Sequence, residues 1–205
     1  LDLNQYKSFY GSPPLSEQIA KTYSKELKRD INPKTEVLVT VGAIGSLFCA
    51  FQAFLDPGDQ VLCIEPFFNL YDPQVRFSGG EFVGVPLVYK HESPEYSSKN
   101  FKLDLDELRS KITARTKLLL INSPHNPTGK VFSMEEMEGI CKLAKQHDLI
   151  IVSDEVYERM ILSDLPHLRP ATFDEMYERT ITIGSAGKTF SVTGWKTGWS
   201  IGPPD

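Results

Sequence analysis

The sequence has few cysteines, no long apolar run and no excess of positive charge. Cys49, Cys63 and Cys141 are scattered and odd in number, which fits neither a disulfide framework nor a zinc site, so we expect buried free thiols in a reducing compartment. No run approaches membrane-spanning length and no signal peptide is visible. The net charge of -5 argues against a nucleic-acid partner. The remaining composition, 205 residues with 40% hydrophobic, is ordinary for one large globular domain.

The sequence also gives expectations about the cellular compartment and about how much of the protein the chain represents. Free thiols favour the cytoplasm, with a mitochondrial location as the alternative if a transit peptide has been lost. The chain begins at Leu1 without a methionine, and we expect it to be a piece of a longer protein.

Strand-like and helix-like segments alternate along the chain. Apolar strands are predicted at residues 36–42, 60–66, 81–87, 117–124, 149–155 and 180–185, and helices at 46–55, 103–112 and 133–148. Pro86 predicts that its strand is an edge strand or ends there. Ser133 and Glu136 form a capping box at the start of the third helix. Because the strands are continuous apolar runs, the sequence predicts an α/β fold: a three-layer α/β/α domain around a mostly parallel central sheet.

Small and polar residues follow four of these strands. They are GAIG at 42–45, NSPHNPTG at 122–129, SDEVY at 153–157 and GSAGKT at 184–189. In sheets of this kind ligands bind beyond the carboxyl ends of the strands. The four segments therefore predict one composite site.

The segment GSAGKT also permits a second interpretation, a nucleotide-binding phosphate loop. That motif needs a glycine five residues before Gly187, and the residue there is Thr182. The segment that follows, FSVTGWKTGWS, is a poor core-facing helix. Both observations weigh against a phosphate loop.

The motifs NSPHNPTG, SDEVY and GSAGKTFSVTGWKTGW together resemble the class I aminotransferases of fold type I, which depend on pyridoxal phosphate. NQY, VTVGAIGSLF and EPFF extend the resemblance over nearly the whole chain. It is closest to the kynurenine aminotransferase and cysteine-S-conjugate β-lyase group. The resemblance implies that residues 1–205 are the cofactor-binding large domain, with the N-terminal arm and C-terminal small domain absent or incomplete. The arginine that binds the substrate carboxylate in this family would then lie outside the chain.

The resemblance also implies the catalytic groups. Lys188 would form a Schiff base with pyridoxal phosphate and carry the proton taken from the substrate. Asp154 would face the ring nitrogen and keep it protonated. Tyr157 and Asn126 would hydrogen-bond the phenolic oxygen of the ring. Glu155 receives no such role, because neighbouring strand residues point to opposite faces.

The remaining ligands of the cofactor follow the same resemblance. The backbone N–H groups of Ala43 and Ile44, at a helix start, would bind the phosphate with the side chains of Ser185 and Lys196. Tyr6 would reach the phosphate of a partner chain, which implies a homodimer with shared active sites.

An aromatic ring is expected to stack on the cofactor. Phe68 is the first choice and Phe67 the second. Asn122 would bond the substrate carboxylate or a cofactor oxygen. Ile44 stands where the closest relatives are expected to have tyrosine, which leaves fine substrate preference open. No role is predicted for His125, Trp195 and Trp199.

The resemblance implies a transaminase that moves an amino group from kynurenine, or another aromatic or bulky neutral amino acid, to a 2-oxo acid. Two alternatives stay open: a cysteine-S-conjugate β-lyase of the same fold, and a catalytically incomplete domain that binds pyridoxal phosphate. No metal, membrane or nucleic acid is expected to take part.

Overall fold

The computed structural model describes residues 5–91, 96–162 and 165–204. The α-helices are α1 (Pro13–Glu26), α2 (Gly42–Phe54), α3 (Tyr71–Phe77), α4 (Leu105–Lys111), α5 (Met134–Gln146) and α6 (Ala186–Thr189). The strands are β1 (Val37–Val41), β2 (Gln60–Glu65), β3 (Glu81–Tyr89), β4 (Phe101–Leu103), β5 (Thr116–Asn122), β6 (Ile150–Asp154), β7 (Thr180–Ser185) and β8 (Thr197–Ile201).

The described residues form one eight-stranded sheet in the order β1-β8-β7-β6-β5-β2-β3-β4. The five central strands, β7, β6, β5, β2 and β3, run parallel to one another. β8 runs antiparallel to both β1 and β7, and β4 runs antiparallel to β3. The predicted α/β class and mostly parallel sheet are thus confirmed.

Apolar residues on both faces of the sheet create the layers. In β2, Val61 and Cys63 belong to a core cluster with α2 and α3, whereas Leu62 and Ile64 belong to a second cluster with α4 and α5. This alternation explains why the strands contain continuous apolar runs, since each face is covered by helices. α1 forms a third cluster with β1 and β8, in which Tyr23 meets Trp199 edge to face at a centroid distance of 6.2 Å.

Helix α5 begins as predicted. Ser133 accepts a hydrogen bond from the Glu136 backbone N–H, and the Glu136 carboxylate accepts one from the Ser133 N–H, which completes the capping box. Glu136 also pairs with the buried ammonium of Lys130 at 2.8 Å. The start of this helix is therefore tied to the loop that follows β5.

Pro86 lies where the sequence predicts an edge or an end: the pairing of β3 with β2 ends there, and in the described sheet β4 pairs with the far side of β3 only from Leu87 onward. Two expectations need correction. α2 begins at Gly42, four residues earlier than predicted, because Gly42 adopts a φ of +70° that turns the chain from β1 directly into the helix. Cys49 is exposed, whereas Cys63 and Cys141 are buried free thiols as expected.

Within the described ranges, no helix is both long and apolar enough to cross a membrane.

Candidate functional site

A cavity of about 350 Å³ opens where β1, β5, β6 and β7 end. It lies beyond the carboxyl ends of these strands, where ligands bind in sheets of this type. Every predicted site residue except Tyr6 lines it: Ala43, Ile44, Phe68, Asn122, Asn126, Asp154, Tyr157, Ser185, Lys188 and Lys196.

The base of the cavity holds a buried carboxylate. Asp154 ends β6, and its Oδ2 accepts a 2.6 Å hydrogen bond from the hydroxyl of Tyr71. Its Oδ1 accepts a second bond from the Val156 N–H at 3.3 Å. Burial raises the pKa of Asp154 to about 6, while the Tyr71 hydroxyl, the Val156 amide and the charge of Lys188 act in the opposite direction. The carboxylate is therefore mostly charged at pH 7.

Tyr71 is a site residue that the sequence analysis missed. It starts α3, is 2% exposed and lines the cavity. Burial raises its pKa well above the ordinary value, and the charge of Asp154 adds to that effect, so the hydroxyl stays a hydrogen-bond donor. Nothing in the local sequence marks it apart from its place three residues after Phe68.

Two asparagines connect the loop after β5 to the strand ends. The Asn122 side chain donates to the backbone carbonyl of Asp154 at 2.9 Å and accepts from the Asn126 N–H at 2.7 Å. This amide thus ties β5 to β6 and fixes the backbone of Asn126. The half-buried Asn126 side chain lines the cavity wall.

His125, to which no role was assigned, anchors the same loop. Its Nδ1 lies 2.8 Å from the Thr128 hydroxyl, and the ring also bonds to the backbone of Ile64 at the end of β2. Burial lowers the pKa of His125 to about 4, so the ring is neutral at physiological pH. A neutral ring thus holds the loop between β2 and β5.

Lys188 projects from the short helix α6 at the end of β7. Its Nζ lies 5.8 Å from the centroid of the Tyr157 ring. The helix turn packs closely against the segment that follows it, because a Cβ on Gly187 would stand 2.9 Å from the Thr193 Cα. The Thr193 hydroxyl also donates to the Gly187 carbonyl at 3.1 Å. These contacts fix the backbone on either side of the lysine.

The opposite end of the cavity can bind an anion. Ala43 and Ile44 lie in the first turn of α2, where backbone N–H groups have no partner within the helix. Gly198 of β8 approaches this turn so closely that a Cβ would stand 2.4 Å from the Ala43 nitrogen. The close contact places Lys196, two residues earlier, beside the helix N-terminus. Helix dipole and ammonium together favour a phosphate group.

The two candidate stacking rings lie in different places. Phe68 lines the cavity and meets Tyr71 edge to face at a centroid distance of 5.6 Å. Phe67 packs against Phe82 at 4.6 Å and is not part of the cavity wall. The geometry favours Phe68.

Tyr6 lies apart from the cavity. Its side chain is fully exposed, on a polar arm that precedes α1. One chain does not bring Tyr6 to the predicted phosphate position, and its role stays a prediction that requires a second chain.

Glu155 points away from the cavity, as expected for the neighbour of Asp154. It is fully buried and accepts hydrogen bonds from Ser153, His167 and Arg169. The sequence analysis did not foresee this ionic cluster.

Comparison with known proteins gives the same answer as the motifs. A family model described as aminotransferase class I and II matches residues 2–205. Human kynurenine–oxoglutarate transaminase 3 is 50% identical over 202 residues, covering 98% of this chain and 44% of that protein. Human kynurenine–oxoglutarate transaminase 1 is 48% identical over 203 residues, covering 98% of this chain and 48% of that protein.

A solved structure agrees in fold. N-succinyldiaminopimelate aminotransferase from Mycobacterium tuberculosis matches with a TM-score of 0.91 at 46% identity, over 98% of this chain and 50% of that chain. The chain therefore spans about half the length of the relatives it matches. The family match covers nearly every residue, and the chain belongs to the class I and II aminotransferase family.

Proposed function

We propose that the protein containing this chain is an aminotransferase that moves an amino group from kynurenine, or another aromatic or bulky neutral amino acid, to a 2-oxo acid. The observation that carries the proposal is one cavity with a buried carboxylate at its base, a lysine amine on its wall and an anion-binding helix N-terminus at its far end. The names of two relatives, both kynurenine transaminases, support the substrate class.

Pyridoxal phosphate is the cofactor of this family, and the cavity fits it. The volume lies in the usual range for small-ligand sites, roughly 300–1,000 Å³. The first turn of α2 and Lys196 suit the phosphate, and Asp154 suits a protonated ring nitrogen. The Ser185 hydroxyl precedes α6 without capping it, which suits a side chain that serves a ligand.

When bound, this cofactor supplies an aldehyde that condenses with amines and a ring that withdraws electrons from the substrate α-carbon. The chain's own residues position and move protons around it. Lys188 Nζ would accept the proton removed from the substrate α-carbon and deliver it to the carbon of the cofactor's aldehyde group. Asp154, kept mostly charged at pH 7 with the help of Tyr71, would stabilise positive charge on the ring nitrogen. Tyr157 and Asn126 line the cavity wall, where their side chains would donate hydrogen bonds to the phenolic oxygen of the cofactor ring.

The test is a visible absorbance spectrum of the full-length protein with pyridoxal phosphate, before and after kynurenine is added. We expect a band that depends on Lys188 and is lost when kynurenine converts the cofactor to its amine form. Lys188→Ala is the control. A band that ignores kynurenine but changes with other amino acids would retain the chemistry and reject the substrate. A folded protein with no Lys188-dependent band would refute the function.

The lyase alternative and the incomplete-domain alternative have distinct signatures. A β-lyase would release pyruvate from a cysteine S-conjugate without a 2-oxo acid acceptor. A domain without catalytic competence would show the Lys188-dependent band but no turnover with any amino acid.

We also propose that residues 1–205 form the cofactor-binding large domain, and that Tyr6 acts in the active site of a second chain. The full exposure of Tyr6, outside its own cavity, supports an action across an interface. Co-expression of Tyr6→Ala with Lys188→Ala tests this sharing. Mixed dimers would regain one complete site, whereas a role within one chain would restore nothing.

For the compartment, we propose the cytoplasm, because the buried thiols Cys63 and Cys141 suit a reducing environment. Cell fractionation with an antibody to the protein tests this, and enrichment in mitochondria would overturn it.

A further inference from the structure

The turn after β6 presents two sets of side chains in opposite directions. Asp154 and Tyr157 line the cavity, while Glu155 and Glu158 point to the other side and are buried. The turn is short, since the Glu158 N–H donates to the Glu155 carbonyl at 2.9 Å. A shift of either glutamate therefore shifts its neighbour in the cavity.

One arginine binds both glutamates. Arg169 is 4% exposed; its Nη1 donates to Glu155 and its Nη2 donates to Glu158. Glu26 of α1 lies 3.5 Å from the same Nη2. The planar guanidinium fixes the separation of the two carboxylates, because its donors form a rigid fork.

Further hydrogen bonds complete the cluster. The Tyr23 hydroxyl of α1 donates to Glu158 at 3.0 Å, and His167 Nε2 lies 2.8 Å from Glu155. Burial by itself pushes the pKa of Glu155 up, but the His167 bond and the charge of Arg169 hold it below its ordinary value. Glu155 is therefore a carboxylate in the folded protein, and the Arg169 contact is a charged one.

The same atoms suggest a metal site, but the guanidinium argues against it. Ligand atoms of Glu155, Glu158 and His167 lie within 4.8 Å of one another. Arg169 already contacts both carboxylates and supplies the positive charge that a metal ion would bring. The arrangement is that of an internal ion pair.

Charges are costly to bury, and a buried ion pair often stabilises no better than apolar residues of the same size. A role in geometry accounts for the cluster better than a role in stability. We propose that Arg169 is a positioning residue, which holds the turn at 154–158 so that Asp154 and Tyr157 face the cofactor. This inference rests on the proposed function.

The test measures geometry through the cofactor's spectrum. In the full-length protein, Tyr157 is expected to set the pH at which the Lys188-dependent band changes. Arg169→Met removes the guanidinium and leaves an unbranched apolar side chain in its place. We expect it to move that pH midpoint in the same direction as Tyr157→Phe, by about one pH unit. The double variant is expected to match Tyr157→Phe alone, because both changes act on one hydrogen bond.

The matched control is Arg29→Met. Arg29 also pairs with two glutamates, Glu36 and Glu178, but it does not contact the turn. It is expected to lower thermal stability and leave the midpoint in place. If Arg169→Met behaves in the same way, or if its shift adds fully to that of Tyr157→Phe, the positioning role is wrong.

A second variant covers the case in which Arg169→Met does not fold. Glu158→Gln keeps the shape of the side chain and removes the charge of one anchor. A smaller shift in the same direction is expected, and an unchanged midpoint would overturn the inference. A parent protein with no Lys188-dependent band would instead refute the proposed function, so the two failures are distinguishable.

Discussion

Replacement of Tyr71 by phenylalanine should change the pH at which the cavity accepts its ligand. The substitution removes a 2.6 Å hydrogen bond to buried Asp154 and keeps the ring that contacts Phe68. Hydrogen bonds to charged groups contribute about 1.5–3 kcal/mol, and about 1.4 kcal/mol corresponds to one pKa unit. The pKa of Asp154, about 6 in the parent, should therefore rise by about one to two pH units.

The sign of the effect follows from the charge of the carboxylate. Below its pKa Asp154 is neutral and cannot stabilise a protonated ring nitrogen. Affinity for pyridoxal phosphate should therefore fall below about pH 6 in the parent, and already below about pH 7 to 8 in Tyr71→Phe. At neutral pH the variant should bind several-fold more weakly.

The assay is an equilibrium titration of the full-length apoprotein with pyridoxal phosphate across this pH range. Asp154→Asn serves as the control, with low affinity and without the pH step. The cofactor's own groups titrate equally in every sample, so only the difference between variants counts. If the profiles of Tyr71→Phe and the parent superimpose, the hydrogen bond does not set the charge of Asp154.

Three further changes test the fold and the cavity. Gly198→Ala places a Cβ 2.4 Å from the Ala43 nitrogen. The free energy of unfolding, measured by denaturation, should fall by about 1–3 kcal/mol. Phosphate binding, measured by competition with inorganic phosphate, should also weaken. Ser133→Ala should lower the free energy of unfolding by about 1 kcal/mol through loss of the cap, with cofactor affinity unchanged. Phe68→Leu should weaken cofactor binding, whereas Phe67→Leu should lower stability alone; equal effects of the two on cofactor affinity would contradict the stacking assignment.

Much of the fold is visible in local sequence because each strand carries its own apolar signal. β5 contains the apolar run Leu118–Ile121, and the structure buries all four of these residues, alternately in the two core clusters on opposite faces of the sheet. The start of α5 is equally local, since Ser133 and Glu136 satisfy each other's backbone. The start of α2 was misjudged because no polar cap precedes it, and the turn depends on the φ of Gly42.

The site residues also fall into two groups, those that local sequence reveals and those that only the fold brings together. Residues in contiguous motifs, such as Asn126 and Lys188, were predicted and lie in one cavity. Tyr71 was missed because its partner, Asp154, lies 83 positions away and only the packed sheet joins them. Arg169 was missed for a related reason. Its own segment has no regular sequence pattern, and the SDEVY motif does not reveal that Glu155 and Glu158 point away from the cavity.

The position of β8 constrains the order in which the protein can assemble. In the described sheet β1 has β8 as its one strand partner, and β8 lies between β1 and β7. During synthesis, β1 and the start of α2 can therefore join the sheet only after β8 has been made, more than a hundred residues later. The end of the cavity formed by the start of α2 and Lys196 is completed last. Binding of the cofactor by a nascent chain would thus indicate that the described sheet has assembled. Truncated chains that lack β8 should fail to retain the cofactor.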